Sequence, residues 1–223
     1  MNLPLTPRLL NIVSYVKGKT AADIGTDHAY VPLFLVSEGI CESAIASDVR
    51  TGPVEIARSN IKKSGFENKI EVRLGSGLSV LKPGETEDII IAGMGGELIA
   101  DILKADEEVA KKSRLILQPM NSQYELRHFL SDNGYEIESE DISLEGFKVY
   151  NLIVAKYGKK FEFENDIDYH LPPYLKDNKN FKPLYEKKVR EFTKVIEGLE
   201  NSKEPDMEKL ELYKAWLCAI RNA

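Results

Sequence analysis

From residue 6 to residue 156, short unbroken apolar runs alternate with apolar stripes at helical spacing. Thr6 and Pro7 suit a helix cap and first turn, and Leu9, Leu10, Val13 and Val16 then recur on one face over residues 6–16. Thr20–Ile24 reads as a strand that breaks at Gly25, and Tyr30–Ser37 as a helix ended by Gly39. Ala44–Ala46 predicts a second strand with Asp48 just past its end, followed by a helix over Val54–Ser64 closed by Gly65. Ile70–Leu74 and Asp88–Ala92 predict strands three and four. The latter is almost wholly apolar, as a strand buried on both faces should be. Glu97–Leu103 predicts a helix, Arg114–Leu117 a fifth strand leading into Gln118-Pro119, and Tyr124–Asn133 a helix with Gly134 after it. Glu136–Leu144 and Lys148–Lys156 predict an antiparallel hairpin around Glu145-Gly146.

Strand and helix thus alternate five times before a terminal hairpin, which implies right-handed crossovers and a mostly parallel sheet covered by helices. The hairpin makes this a seven-stranded variant of the doubly wound α/β fold. A dinucleotide-binding fold expects Gly-x-Gly-x-x-Gly after strand one. Here the turn reads Gly25-Thr26-Asp27-His28-Ala29-Tyr30, with one glycine and an acid that would meet a pyrophosphate, so dinucleotides are set aside. After Ala155 the pattern changes. Residues 157–183 are polar and aromatic, with Pro172, Pro173 and Pro183, and read as a connector. Tyr185, Val189, Phe192, Ile196 and Leu199, then Leu210, Tyr213, Leu217 and Ile220, recur at coiled-coil intervals on either side of a turn at Asn201–Asp206. They predict two antiparallel helices packed as a hairpin. The expected division is 1–156 as a sheet domain, 157–183 as connector and 184–223 as hairpin.

The 223 residues are 43% apolar and 30% charged, which excludes wholesale disorder. Two cysteines, Cys41 and Cys218, exclude a disulfide scaffold or a zinc finger. The first residues lack the apolar run of a signal peptide, and no stretch reaches the roughly 20 apolar residues of a membrane helix, so a cytoplasmic location is expected. The net charge of -6 argues against a uniform coat of nucleic acid. The charge is unevenly spread, however. Residues 1–156 carry all of it, residues 157–223 balance to zero, and the window 176–194 is +4. That window either meets a polyanion or is a solvated helix face.

In an open parallel sheet, ligands bind beyond the carboxyl ends of the strands. The residues able to do chemistry fall there. Asp23, Gly25, Asp27 and His28 stand at the end of strand one and Asp48 at that of strand two. Gly75, Ser76 and Gly77 follow strand three, Gly93–Gly96 strand four, and Gln118 and Asn121 strand five. Gly25 either admits a ligand where a Cβ would clash or serves a tight strand-to-helix turn. Asp48 either accepts two hydrogen bonds from a ribose diol or caps a turn. Gly75-Ser76-Gly77-Leu78 suits the border of an adenine, Leu78 by apolar contact and Ser76 by a hydrogen bond, or a plain loop. Three glycines within Gly93-Met94-Gly95-Gly96 carry an entropic cost that points to close backbone approach where a group reacts, or they form a purely structural loop. Asp27 either favours a cationic cofactor, orients or deprotonates an exocyclic amine, or caps the next helix. His28 is an active group or a core histidine. His128 and His170 show no ligand spacing with a carboxylate, so no catalytic metal is expected. Leu171-Pro172-Pro173-Tyr174 falls in the connector and reads as a rigid turn.

Three stretches carry a family resemblance: Ala22-Asp23-Ile24-Gly25-Thr26-Asp27-His28-Ala29-Tyr30-Val31-Pro32, Ile90-Ile91-Ala92-Gly93-Met94-Gly95-Gly96 with Leu98-Ile99, and Leu115-Ile116-Leu117-Gln118-Pro119. With the closing hairpin Tyr150–Ala155, they resemble the bacterial tRNA (adenine-22) N1-methyltransferase family, within the S-adenosylmethionine-dependent class I methyltransferases. The resemblance covers nearly the whole chain. It implies a Rossmann-like seven-stranded sheet with a C-terminal coiled-coil-like hairpin. It also implies that S-adenosyl-L-methionine is held by Asp23 and Gly25, by Asp48 at the ribose, by Gly75, Ser76, Gly77 and Leu78 at the adenine, and by Gly93, Met94 and Gly95 at the methionine end. Asp27 becomes the acidic residue near the transferred methyl group, and Arg8 a basic position that helps hold RNA. Ser76 departs from the family's Gly-Asp-Gly-Leu, and Met120 intervenes before Asn121 where the family reads Gln-Pro-Asn.

The expected reaction is methylation of adenine N1 in tRNA, with Lys179, Lys182, Lys187, Lys188, Arg190 and Lys194 on phosphates. Expected partners are tRNA, with neither DNA nor membrane, and the expected state is a monomer. Two other readings stand beside it: a methyltransferase acting on another RNA or a small metabolite, and a non-catalytic RNA- or cofactor-binding protein.

Overall fold

Ile89, Ile90 and Ile91 are all fully buried, although successive side chains of a strand point to opposite faces. Their strand must therefore be covered on both sides, and the architecture follows from that. The structure, a computed structural model, describes Leu3 and residues 5–222. It divides into two compact units, Met1–Phe161 and Glu162–Ala223.

In the first unit the chain runs α1 (Pro7–Ser14), β1 (Thr20–Ile24), α2 (Tyr30–Ser37), β2 (Ser43–Asp48), α3 (Thr51–Ser64) and β3 (Ile70–Leu74). It continues through β4 (Asp88–Met94), α4 (Gly96–Ala105), the single turn α5 (Glu107–Ala110), β5 (Arg114–Pro119) and α6 (Gln123–Asp132), and closes with β6 (Tyr135–Glu145) and β7 (Lys148–Tyr157). The seven strands lie in the order β3-β2-β1-β4-β5-β7-β6. The first five are parallel, while β7 runs antiparallel to both β5 and β6. Ala21, Ala46, Ile90, Ile116 and Leu152 face one core with Ile12 of α1, Leu33 of α2 and Ile61 of α3. Their neighbours Ala22, Ile45, Ile89, Ile91, Leu115 and Ile153 face the other, with Ile99 of α4 and Leu126 of α6. This is the expected seven-stranded, doubly covered sheet.

Of the boundaries that differ from the sequence reading, three have a definite physical reason. β2 continues through Ser47 to Asp48, which pairs with Leu74, so Asp48 is the last residue of the strand rather than one beyond it. Its polarity hid it. α3 begins at Thr51 because Pro53 sits in the first turn, where a helix needs no N–H. β4 runs past Ala92 to Met94 through a bulge. Ala92 pairs with Gln118 and Met94 with Pro119, leaving Gly93 unpaired at φ +77°.

The second unit holds two short 3-10 turns, Asp166–Tyr169 and Pro173–Asp177, then α7 (Phe181–Glu200) and α8 (Met207–Asn222). Phe192 and Ile196 of α7 and Leu210 and Ile220 of α8 are buried on the expected stripes; Leu184 and Trp216, outside those stripes, are buried too, while Tyr185, Val189, Leu199, Tyr213 and Leu217 are half-buried. Most of the segment read as connector folds with the helices. Tyr169, His170, Leu171 and Leu175 are buried, His170 packs edge-on to Phe192 and Trp216, and the Trp216 indole donates to Asp166 at 3.0 Å. The prolines make 3-10 turns instead of an open linker, and Pro183 falls inside the first turn of α7. Among the described residues no helix is long and apolar enough to cross a membrane.

In the first unit, α6 is tied to β6 by a fully buried bidentate pair. Arg127 donates through Nε and Nη2 to the two oxygens of Glu140, at 2.9 and 2.6 Å. Removing one partner strands a buried charge, so Arg127→Met should lower stability by about 3–5 kcal/mol in urea denaturation. Arg127→Met combined with Glu140→Leu should recover most of that loss. Equal losses in the single and double variants would contradict this account of the pair.

Candidate active site

The strand order reverses between β1 and β4. The chain leaves β1 towards β2 and β3, and leaves β4 towards β5, so the two adjacent carboxyl ends open a crevice. Two chambers occupy it, of about 310 and 440 Å³, and Gly25, Arg50, Ala92 and Gly93 line both.

Asp48, Ser76, Met94, Leu98 and Ile102 belong to the smaller chamber. Asp48 is 5% exposed and accepts the Arg50 backbone N–H at 2.7 Å and the Arg50 Nε–H at 3.3 Å, both on Oδ1. Asp48 thus caps its own turn through Oδ1. The Ser47 hydroxyl, on the same wall, is buried without a hydrogen-bond partner. Gly25 has φ +81°, and a Cβ there would lie 2.1 Å from Cε of Met94. The tight turn and the close approach are both present, and the approaching group is the methionine of strand four. The Gly25 and Thr26 N–H groups both donate to Ser47 O at 2.8 Å, which pins the loop to β2.

The larger chamber gathers the titratable groups. Asp23, at the end of β1, is 9% exposed. Burial pushes its carboxyl up to about 6, against the Thr26 hydrogen bond and the Arg8 cation, while the nearby Asp48 charge adds to the rise. Asp27 is 68% exposed at its side chain, and His28 Nε2 lies 3.1 Å from its Oδ2. The His28 ring stacks on Tyr30 at 5.1 Å, and its carbonyl accepts from Asn60 of α3 at 3.0 Å. Next to it, Ala29 holds the left-handed φ of +57°, fixed by its N–H donating to Thr26 Oγ1 at 3.2 Å. Arg8 of α1 donates to Gln118 Oε1 at 2.8 Å and lies over the Tyr150 ring at 5.5 Å. Met120 is absorbed without disturbing this corner. Its N–H donates to Met94 O at 2.8 Å, and its sulfur lies 3.8 Å from Gln118 Nε2.

The sequence candidates Asp23, Gly25, Asp27, Asp48, Gly75, Ser76, Gly77, Gly93, Met94 and Arg8 all line one chamber or the other. Leu78 does not. It is fully buried in the core on the α4 face, and Leu98 and Ile102 supply the apolar wall instead. Gly95 is the cap residue of α4, where a Cβ would press to 2.9 Å from Asn121 Oδ1. Among the basic candidates, Lys179, Lys182, Arg190 and Lys194 are exposed, and Lys187 is partly covered near Glu191. Lys188 is 7% exposed and pairs with Glu191 at 2.9 Å, so it does not present a surface cation. Sequence reasoning passed over Arg50, Leu98, Ile102 and Tyr30. Arg50 carried a signal, a cation two residues after the strand-end acid, whereas the others sit on helices whose facing only the fold sets.

The crevice suits a ligand with a polar, diol-bearing end near Asp48 and a cationic or amine-bearing centre near Asp23 and Asp27. Among the described residues no cluster of His, Cys, Asp and Glu could hold a metal ion.

Residues 5–153 match a family described as a methyltransferase domain. The tRNA (adenine(22)-N(1))-methyltransferase of Bacillus subtilis (strain 168) is 41% identical over 160 residues, which are 71% of this chain and 67% of that protein. The crystal structure of the B. subtilis M1A22 tRNA methyltransferase TrmK superposes with a TM-score of 0.90 at 31% identity, covering 99% of both chains. The structure of M. capricolum TrmK with its natural cofactor product S-adenosyl-homocysteine gives 0.82 at 27% identity, over 98% of this chain and 96% of that one.

The raised Asp23 value has a definite consequence for stability. The folded value of about 6 lies above the ordinary 3.8, so the stabilising contribution is complete below 3.8 and is lost as pH rises through 6. Asp23→Asn removes that titration. Its gain over the parent protein should grow from near zero at low pH to at most about 3 kcal/mol at neutral pH, at about 1.4 kcal/mol per unit. Denaturation midpoints compared across that range test it, and a pH-independent difference would refute it.

Proposed function

The chain belongs to the tRNA (adenine(22)-N(1))-methyltransferase family, and on that premise we propose that it methylates N1 of adenine 22 in tRNA with S-adenosyl-L-methionine as methyl donor. The observation that carries the reading is the pair of joined chambers at the strand reversal, one built on Asp48 and the other on Asp23 and Asp27. The smaller chamber fits the cofactor. The orphaned Ser47 hydroxyl needs a partner, and Gly93, with only Arg8 Nη1 at 3.8 Å from a Cβ position, leaves space that any side chain would fill.

In this reading Asp48 holds the ribose and Ser76 the adenine, within the loop formed by Gly75 and Gly77. Leu98 and Ile102 supply the apolar wall, and Leu78 supports the loop from the core. Asp23, Gly25, Gly93, Met94 and Gly95 frame the methionine end. When bound, the cofactor supplies an activated methyl group on a cationic sulfur. The protein's own task is then to align the target base, exclude water and manage charge. Asp27 stands in the larger chamber, oriented by His28. It either balances the positive charge that the adenine ring acquires or takes the proton of its exocyclic amine. Arg8, braced by Gln118 and Tyr150, is ready to meet a phosphate at the rim. A base inside a folded tRNA must be exposed first, by flipping. Methyl transfer belongs to the unit that ends at Phe161. The tRNA contact extends to the helical unit, through exposed Lys179, Lys182, Arg190 and Lys194 with Lys187 beside them, while Lys188 serves its ion pair. A tRNA substrate implies a cytoplasmic protein.

Labelled S-adenosylmethionine incubated with unmodified bulk tRNA should yield N1-methyladenosine on nucleoside analysis. Tight cofactor binding with no label in any tRNA would overturn the substrate assignment. Asp27→Ala should cut turnover by about 10²- to 10⁴-fold with cofactor affinity little changed, and retained turnover would remove its catalytic role. Asp48→Ala should act oppositely, weakening cofactor binding about 10- to 100-fold by calorimetry.

A further inference from the structure

The helical unit contains a cavity for which methyl transfer has no use. It lies among the two 3-10 turns, the start of α7 and the end of α8, and encloses about 180 Å³. Leu171 and Ile220 are among its apolar lining, and Phe181 and Tyr185 stand one turn apart on α7 with ring centroids 6.3 Å apart. Two charged residues, Asp168 and Lys176, interrupt this lining. Asp168 Oδ2 accepts the Asn165 amide at 3.2 Å, and a carboxylate has lone pairs to spare for a further donor. Lys176, Phe181 and Tyr185 all belong to the stretch 176–194, whose net charge is +4, and Lys179 and Lys182 beside Phe181 are exposed.

These features select a ligand class. The volume falls below the roughly 300–1,000 Å³ of sites for drug-sized ligands, which suits one planar ring system rather than two. Aromatic walls suit a π-face, since unstacked bases are bound on Phe and Tyr rings. An exocyclic amine can use the lone pairs that the Asn165 bond leaves on Asp168, which a purely aliphatic ligand cannot. The surrounding cations match a phosphate outside the cavity. We propose that this cavity receives a single unstacked nucleotide of the bound tRNA, its base against Phe181 or Tyr185 with an amine on Asp168, and its phosphate near Lys179 and Lys182. The proposal rests on the reading of the protein as a tRNA methyltransferase, and assigns the helical unit a base contact in addition to phosphate contacts.

The test measures tRNA affinity of the full chain over a range of salt concentrations. Tyr185→Ala removes an aromatic wall. Ala219→Phe fills the cavity from α8 without removing any side chain that builds the unit. Circular dichroism melting identifies a variant whose helices have come apart. Each folded variant should bind about tenfold more weakly, within what one stacked base contributes. The slope of log affinity against log salt should stay unchanged, because no phosphate contact is lost. Parent-like affinity in folded Ala219→Phe would overturn the proposal, as would a loss accompanied by a shallower salt slope. If Ala219→Phe instead leaves tRNA binding intact and turns a sedimenting dimer into a monomer, the cavity holds a second copy of the chain and the proposal fails. A parent protein that binds no tRNA would refute the tRNA reading itself, whereas parent binding that the variants leave unchanged refutes only the cavity.

Discussion

The reversal of strand order between β1 and β4 is the constraint on which the rest of the first unit depends. Two adjacent parallel strands send their following helices to opposite sides, so no connection can close over both carboxyl ends at once. A crevice there is a topological necessity. Burial of the strands makes it a rigid one, since Ile24 and Ile91 are fixed beneath it in the core. Any ligand enters where backbone groups and strand-end side chains are exposed, and the three acids there come from β1 (Asp23), the loop after it (Asp27) and the end of β2 (Asp48).

Close approach shapes the crevice further. Met94, just past the β4 bulge at Gly93, fills the space that a Cβ at Gly25 would need. Positive φ at Gly25 and Gly93 is relieved by glycine, while Ala29 holds φ +57° without that relief, buried and hydrogen-bonded to Thr26. Strain of this kind persists where surrounding structure over-determines it. Here it fixes the segment that carries Asp27 and His28. The buried Asp23 carboxyl is a second cost concentrated at the same strand end.

The helical unit follows a different logic. Two amphipathic helices joined by a short turn bury their stripes on each other, and the segment before them adds Tyr169, His170 and Leu175 to that core. The same folding back creates the cavity bounded by Phe181 and Tyr185. It also separates the basic residues by role. Lys182, Arg190 and Lys194 lie along one exposed face at intervals of eight and four residues, with Glu186 between the first two, while Lys188 is buried and pairs with Glu191.

The sequence by itself determined the order of elements, the doubly covered sheet and the loops at which chemistry gathers. These depend on local periodicity, on glycines between apolar runs and on the rule that ligands sit at strand ends. Its motifs also sufficed to indicate the family. Only the tertiary structure decided what depends on facing and register. Leu78 is core and Ile102 is wall because the 3-10 turn Gly77–Val80 rotates one inward while α4 presents the other. Asp48 ends β2 because Leu74 of β3 pairs with it, and strand pairing is not visible in polar residues. Arg50 joins the site because β2 and α3 are separated by a short turn that folds it back on Asp48. The segment 162–180 belongs with the helices because its scattered apolar side chains find a surface there, and a surface made by distant residues has no local signature in the chain.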